Sequence, residues 1–260
     1  MKRTFSIILS GIASLVLLTS CGEAFNAERA LYGAVGAAQA LSITDEQVRE
    51  YVHQYITQLD AQSAVLPEND AYTLRLRKLT SGLTQVDGVP LNFKVYKTSD
   101  INAFACGDGS IRVYSGLMDV MDDEELTAII GHELGHVRHK DTKKAIKNAY
   151  VASAARDILS SAGSYGAMAS ALLGDVGESL VSAQFSQSQE YKADEHGCQF
   201  AIERGVSPYS MYNALNKLNQ LSDGSEGSVI AHMFADHPKT EKRMEKMKKM
   251  ADNYVAKSSK

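Results

Sequence analysis

The 260-residue chain has no tryptophan, four prolines and three cysteines, and aromatic residues make up only 7% of it. A core without tryptophan must rest on aliphatic side chains, alanine and methionine. Scarce proline, with abundant Ala, Gln and Lys, disfavours an all-β fold and favours helices. No single sign of charge dominates: 27 basic side chains stand against 31 acidic ones, a formal net charge of −4. That balance counts against a nucleic-acid binder, which needs a basic surface. A disordered chain is excluded too, because 44% hydrophobic and 22% charged residues is the composition of a globular protein with a real core. No apolar run is long enough to be a comfortable membrane span.

What is present begins with a distinct first segment. Lys2 and Arg3 form a basic head. An apolar stretch from Ile7 to Leu18 follows, broken by Ser10, Gly11 and Ser14, and Leu18-Thr19-Ser20-Cys21 closes it. This order describes a secretory signal over residues 1–20. Its Leu-x-Ser-Cys ending resembles the bacterial lipobox, in which Cys21 is acylated and becomes the mature N-terminus. An ordinary signal that happens to end in Cys is the alternative. Gly22, rather than Asp, then implies a lipid anchor in the outer membrane, with the protein facing the periplasm. Residues 21–41 form a linker rich in Ala and Gly, leaving a domain over 42–260. With Cys21 used by the lipid, Cys106 and Cys198 remain in an oxidising compartment. One disulfide and two free thiols are both open.

Thr44 and Gln47 make a capping box for a first helix carrying Val48, Tyr51, Val52, Tyr55, Ile56 and Leu59 at helical spacing. A second helix starts near Asn69, with Leu74, Leu79 and Leu83 on one face. Leu91–Thr98 alternates as a strand, Phe93 and Val95 opposite Lys94 and Tyr96. Asn102–Cys106 and Ser110–Tyr114 flank Gly107-Asp108-Gly109 as a hairpin. Asp122 and Glu125 cap a long helix to about Asp141. The small-residue stretch 145–183 is interrupted by Arg156, Asp157, Asp175 and Glu178, which suits packed helices with a loop near Gly163–Gly166 rather than a span. A helix from Gln184 to Arg204 ends at Gly205, and Ser207-Pro208 starts another. After a polar loop, Ser222–Ser228, a last helix over Pro238–Tyr254 carries a basic face of Lys239, Lys242, Arg243, Lys246 and Lys249. The fold expected is α+β, mainly α, with about three strands.

The chemistry lies in Gly131-His132-Glu133-Leu134-Gly135-His136, inside the capped helix. His132 and His136 leave one face a turn apart, so both imidazoles can reach one zinc ion. Glu133, about 100° around the helix, can face a water beside the metal without ligating it. A catalytic zinc needs a third protein ligand and an open position. Glu190 and Asp194 share a face of the later helix, so Glu190 could complete the site while Asp194 hydrogen-bonds a ligand histidine from behind. His139, His196 and His232 are rival ligands that spacing does not favour.

The ordered set of H-E-x-x-H, then E-x-x-x-D, with Asn102-Ala103-Phe104-Ala105 upstream and Asp236-His237-Pro238 with Arg243 downstream, resembles the gluzincin metallopeptidase family of HtpX and the CAAX prenyl endopeptidase. The likeness covers about residues 70–250, without the multiple membrane spans of those two, and fits a soluble, lipid-anchored branch. The resemblance implies a zincin-type domain, with one zinc ion per chain held by His132, His136 and Glu190. It implies Glu133 as general base and proton donor, and His237 and Arg243 as supports or oxyanion stabilisers. Asn102, Ala103, Phe104 and Ala105 would form an edge strand over the active-site helix that pairs with an extended polypeptide substrate. A Cys106–Cys198 bond would tie that strand to the ligand helix. The expected function is a zinc endopeptidase acting on unfolded or damaged envelope proteins, with polypeptides and the membrane, not nucleic acid, as partners. A non-proteolytic zinc-binding assembly factor or chaperone, or a scaffold with a closed structural metal site, is the alternative.

Overall fold

The computed structural model describes residues 42, 44–148, 185–223, 229–238 and 241–259. The expected signal, the lipid attachment at Cys21, the linker over 21–41 and the loop near Gly163–Gly166 lie outside these residues. Helix α1 (Asp45–Gln62) opens on the expected capping box, Thr44 with Gln47, and buries Val48, Val52 and Ile56. Helix α2 (Ala71–Leu79) is capped by the Asp70 side chain. It buries Leu76 and leaves Leu74 49% exposed. Leu74 therefore does not belong to the inner face, because two residues of α-helix turn it about 200° from Leu76. A short hairpin of β1 (Gln85–Val86) and β2 (Val89–Pro90) follows. Its turn has positive φ at both Asp87 and Gly88, the Asp-Gly signature of a two-residue hairpin.

Strands β3 (Asn92–Tyr96), β4 (Ala103–Ala105) and β5 (Ser110–Tyr114) form a sheet in the order β3-β5-β4. β5 pairs parallel with β3 and antiparallel with β4. The expected hairpin is therefore present, and β4 is an edge. Alternation fails at Tyr96, which is buried like Val95, because its hydroxyl donates to Asp60 of α1 at 2.6 Å. Gly109 turns the hairpin at φ +88°, where a Cβ would stand 1.9 Å from the Pro90 carbonyl oxygen.

After α3 (Ser115–Val120) comes α4 (Asp123–Arg138), started by the Asp122–Glu125 capping box. Every residue of α4 from Glu125 to Val137 is buried, so this helix runs through the molecule rather than along its surface. Its long partner is α5 (Gln187–Glu203), capped by Ser186 with Gln189 and stopped at Gly205, where φ is +73°. The two helices meet on small residues. A Cβ on Gly131 would lie 2.7 Å from Phe200 Cβ, and one on Gly197 2.6 Å from the Ala128 oxygen. Helices α6 (Ser210–Asp223), α7 (Ala231–Asp236) and α8 (Glu241–Ser258) complete the domain. On α8 the buried side chains are Arg243, Met247 and Ala251, so Arg243 leaves the expected basic face and points inward.

Of the two states left open for Cys106 and Cys198, the structure has the free thiols, both buried, and not the disulfide. Cys106 sits at the β4–β5 turn. Cys198 packs among Ala128, Ala201, Met211 and Met247, so the fold holds the two sulfurs in different parts of the core. Burial pushes the Cys198 thiol up to about 11, which makes it an inert apolar filler. Among the described residues, no helix is long and apolar enough to cross a membrane. The architecture is mainly helical with small sheets, as the composition implied.

Candidate metal centre

The glycine-lined approach of α4 to α5 brings the two motifs together. His132 Nε2 and His136 Nε2 lie 3.0 Å apart. From α5, Glu190 Oε1 stands 3.4 Å from His136 Nε2, and Oε2 3.7 Å from His132 Nε2. A fourth donor comes from the residue after α7. His237 Nδ1 is 3.2 Å from both His132 Nε2 and Glu190 Oε1. One donor atom from each of the four buried residues falls within 4.8 Å of the others. A tetrahedral ion with bonds of about 2.0–2.1 Å needs donors about 3.3 Å apart, which is the spacing seen here.

The histidines are oriented from behind. His132 Nδ1 lies 2.9 Å from Asp194 Oδ1, and His136 Nδ1 3.0 Å from Asp141 Oδ2. Donation of each Nδ1–H to a carboxylate leaves both Nε2 lone pairs facing one another across 3.0 Å. Two bare lone pairs at that distance repel; a shared metal ion relieves them, and without one a proton on His136 does the same. Arg243 closes the arrangement. Its Nε and Nη2 each donate to Asp194 at 2.7 Å, and its Nη1 meets Glu190 Oε2 at 2.7 Å. Burial alone would raise the carboxyl of Glu190, but His237, His136 and His132 hold it far below its usual range. Asp194 is likewise held low by Arg243 and His132 against its burial. Burial opposes charge on His136, yet Asp141, Glu190 and Glu133 carry it up to about 9. So dense an array of perturbed groups marks a functional site.

Glu133 is the exception in this cluster. It is 1% exposed, and among the described residues neither carboxylate oxygen has a hydrogen-bond partner. His237 Nε2 lies 3.7 Å from its Oε1 and likewise has no hydrogen-bond partner among the described residues. Unpaired buried groups are costly, so these atoms fit a site that takes in water and a polar ligand. The donor set and the unpaired atoms together fit a divalent ion.

A profile of peptidase family M48 matches residues 71–251, most of the chain. The chain belongs to peptidase family M48. It is similar to the metalloprotease LoiP of Escherichia coli strain K12, 37% identical over 240 residues, which is 92% of this chain and 93% of LoiP. The metalloprotease YcaL of the same organism is 32% identical over 249 residues, covering 94% of this chain and 96% of YcaL. A protease HtpX homologue of Thermococcus sibiricus is 25% identical over 230 residues, covering 74% of this chain and 78% of the relative. As an M48 peptidase the protein is a metalloendopeptidase.

Within this M48 domain most of the anticipated residues converge, with differences of detail. Of the two places open to Arg243, it takes that of a support, behind the carboxylates of Asp194 and Glu190. The rivals His139, His196 and His232 stand apart from the cluster: His196 donates to the Gly131 carbonyl at 2.7 Å, and His232 lies 3.8 Å from Asp100. On β4, Tyr114 N–H donates to Asn102 O and Cys106 N–H to Ser110 O. Ala103 and Ala105 therefore turn their main-chain groups away from β5. The Asn102 side chain takes the Ala103 N–H at 2.8 Å and reaches Asp236 at 3.5 Å. Phe104 packs its ring against Tyr96 and Tyr114, so it serves the core and not an exposed pocket. Burial pushes the Asp236 carboxyl up to about 6. Motif reading missed Asp141 and Phe185, whose ring stacks on His136 at 4.0 Å. Phe185 carries no signal in the sequence. Asp141 carries only its nearness to His136.

Proposed function

We propose that the chain is a zinc endopeptidase of the bacterial envelope. It would be held in the outer membrane by a lipid on Cys21, face the periplasm, and cut unfolded or damaged envelope proteins. His132, His136 and Glu190 would hold the ion, with Asp194 and Arg243 fixing the ligands from behind. When bound, zinc polarises a scissile carbonyl and makes a neighbouring water more acidic. Glu133 accepts the proton of the attacking water and passes it to the leaving amine. An extended substrate pairs its backbone with β4 on the side away from β5, through the Ala103 carbonyl and both main-chain groups of Ala105. That mode reads backbone more than side chain, which suits unfolded polypeptide. The observation carrying the hydrolytic reading is the buried Glu133 carboxylate, aimed beside the cluster with no partner of its own.

One observation favours the rival of a closed structural site: His237 Nδ1 stands at the fourth corner. The unpartnered Glu133 runs against it, since a structural site has no use for a bare buried carboxylate. Zinc content and cleavage of casein, with and without chelator, test the proposal. Glu133→Gln should keep zinc and lose cleavage, and wild-type cleavage by that variant would remove Glu133 as the base. His237→Ala should retain zinc on three ligands. Loss of zinc in that variant would instead favour the closed site.

A further inference from the structure

Asp141 follows His136 by five residues and is fully buried. Had α4 continued, position 141 would lie about 140° around the axis from His136, out of reach of its ring. Instead α4 ends at Arg138 and the chain turns through Lys140 at φ +56°, a left-handed conformation usual for glycine at a helix end and costly for lysine. The turn returns Asp141 beneath the ring, with Oδ2 3.0 Å from His136 Nδ1. Lys144 donates to its other oxygen at 2.9 Å. The turn is pinned from a distant part of the chain: Asp45, in the first turn of α1, is ion-paired with both Lys140 and Lys143.

The two histidines of α4 are thus backed in parallel, His132 by Asp194 with Arg243 behind it, and His136 by Asp141 with Lys144 behind it. The supports differ in kind. Asp194 stands on a long helix packed against α4. Asp141 stands just past a strained turn, and strain of that kind persists only where the surroundings impose it. We infer that Asp141 is a positioning residue for the metal site, and that α1 sets it through the grip of Asp45 on Lys140 and Lys143. Asp141 takes the Nδ1–H of His136, holds the tautomer that presents Nε2 to the cluster, and stops the ring from rotating. This rests on the reading of His136 as a metal ligand.

The test uses the full chain and Zn2+, with affinity measured by competition against a chromophoric chelator and folding followed by circular dichroism. Asp141→Asn should weaken Zn2+ binding by roughly 10–100-fold in protein whose metal-free fold is intact. Asp45→Asn should weaken it by a smaller factor in the same direction, and it carries the test should Asp141→Asn fail to fold. A merely structural role would lower the unfolding midpoint and leave the Zn2+ affinity of the folded protein unchanged. Wild-type affinity in Asp141→Asn overturns the positioning role. Wild-type affinity in Asp45→Asn, beside a weakened Asp141→Asn, overturns the role of α1. His136→Ala separates the levels: unchanged affinity in that variant removes the metal-site reading itself.

Discussion

Two buried polar clusters in this domain look alike in composition and differ in one respect. The first joins Asp60 of α1 to Arg112 of β5, where Arg112 is 1% exposed. Arg112 Nε and Nη2 donate to the two Asp60 oxygens at 2.8 and 3.0 Å, Lys94 and Tyr96 donate to the same carboxylate, and Arg112 Nη1 donates to the Asn92 and Ile111 carbonyls. Every charged group there has its partner. The second cluster gathers His132, His136, Glu190, His237 and Glu133, and leaves both Glu133 oxygens and His237 Nε2 without a hydrogen bond among the described residues. A satisfied network ties elements together, here α1 to the central strand. An unsatisfied one, held in place by satisfied neighbours such as Asp194 and Arg243, is built for something that arrives from outside.

That contrast can be broken by exchanging what each cluster loses. The largest effect is expected at the unpaired carboxylate. Glu133→Gln should cut turnover on casein by roughly 10²–10⁴-fold with little change in thermal midpoint, because no hydrogen bond is lost. Arg112→Met should do the reverse. It takes from Asp60 two of its four hydrogen bonds, leaving those of Lys94 and Tyr96, and should cost about 1.5–3 kcal/mol of stability in denaturant unfolding, while the assembled ligand cluster remains in the fraction that stays folded. If Arg112→Met leaves stability unchanged, the closed network is not what joins α1 to the sheet. Gly197→Ala probes the scaffold both share. Its Cβ would lie 2.6 Å from the Ala128 oxygen, so α4 and α5 must part, at about 1–3 kcal/mol and with weaker metal retention, read by elemental analysis.

The smallest effect is a pH dependence. Burial alone would raise the Asp60 carboxyl, but Arg112, Lys94 and Tyr96 outweigh it and lower it from 3.8 to about 2. The folded pKa lies below the unfolded one, so the stabilisation is complete above about pH 4 and is lost as pH falls toward 2. Asp60→Asn should flatten the unfolding midpoint across that window, as measured by circular dichroism. An unchanged acid profile would assign the effect to other carboxylates.

The ease of reading different parts of this site followed the distance over which each is specified. His132, Glu133 and His136 lie within one turn of a single helix, so the repeat of the helix alone sets their faces. Glu190 and Asp194 are equally local to each other, and the capping box at Asp122 and Glu125 and the glycine end at Gly205 also stand in a few consecutive letters. By contrast Leu74 was misread because a helix pattern does not say which side meets the core. The free Cys106 and Cys198 could not be told from a bonded pair, since spacing along the chain says nothing of separation in space. Arg243 was placed on a basic face by its neighbours, yet it is buried because two carboxylates of α5 wait for it there.

The amino-acid order by itself determined the long helices, their capping boxes, the zincin motif and its family, because each depends on interactions a few residues apart. Only the tertiary structure decided that His237 would stand beside Glu190, that Asp141 would turn back beneath His136, and that Asp60 would close on Arg112. Those contacts join segments whose separation in the chain carries no geometric information until the close packing of α4 against α5, and of α1 against the sheet, sets the distances.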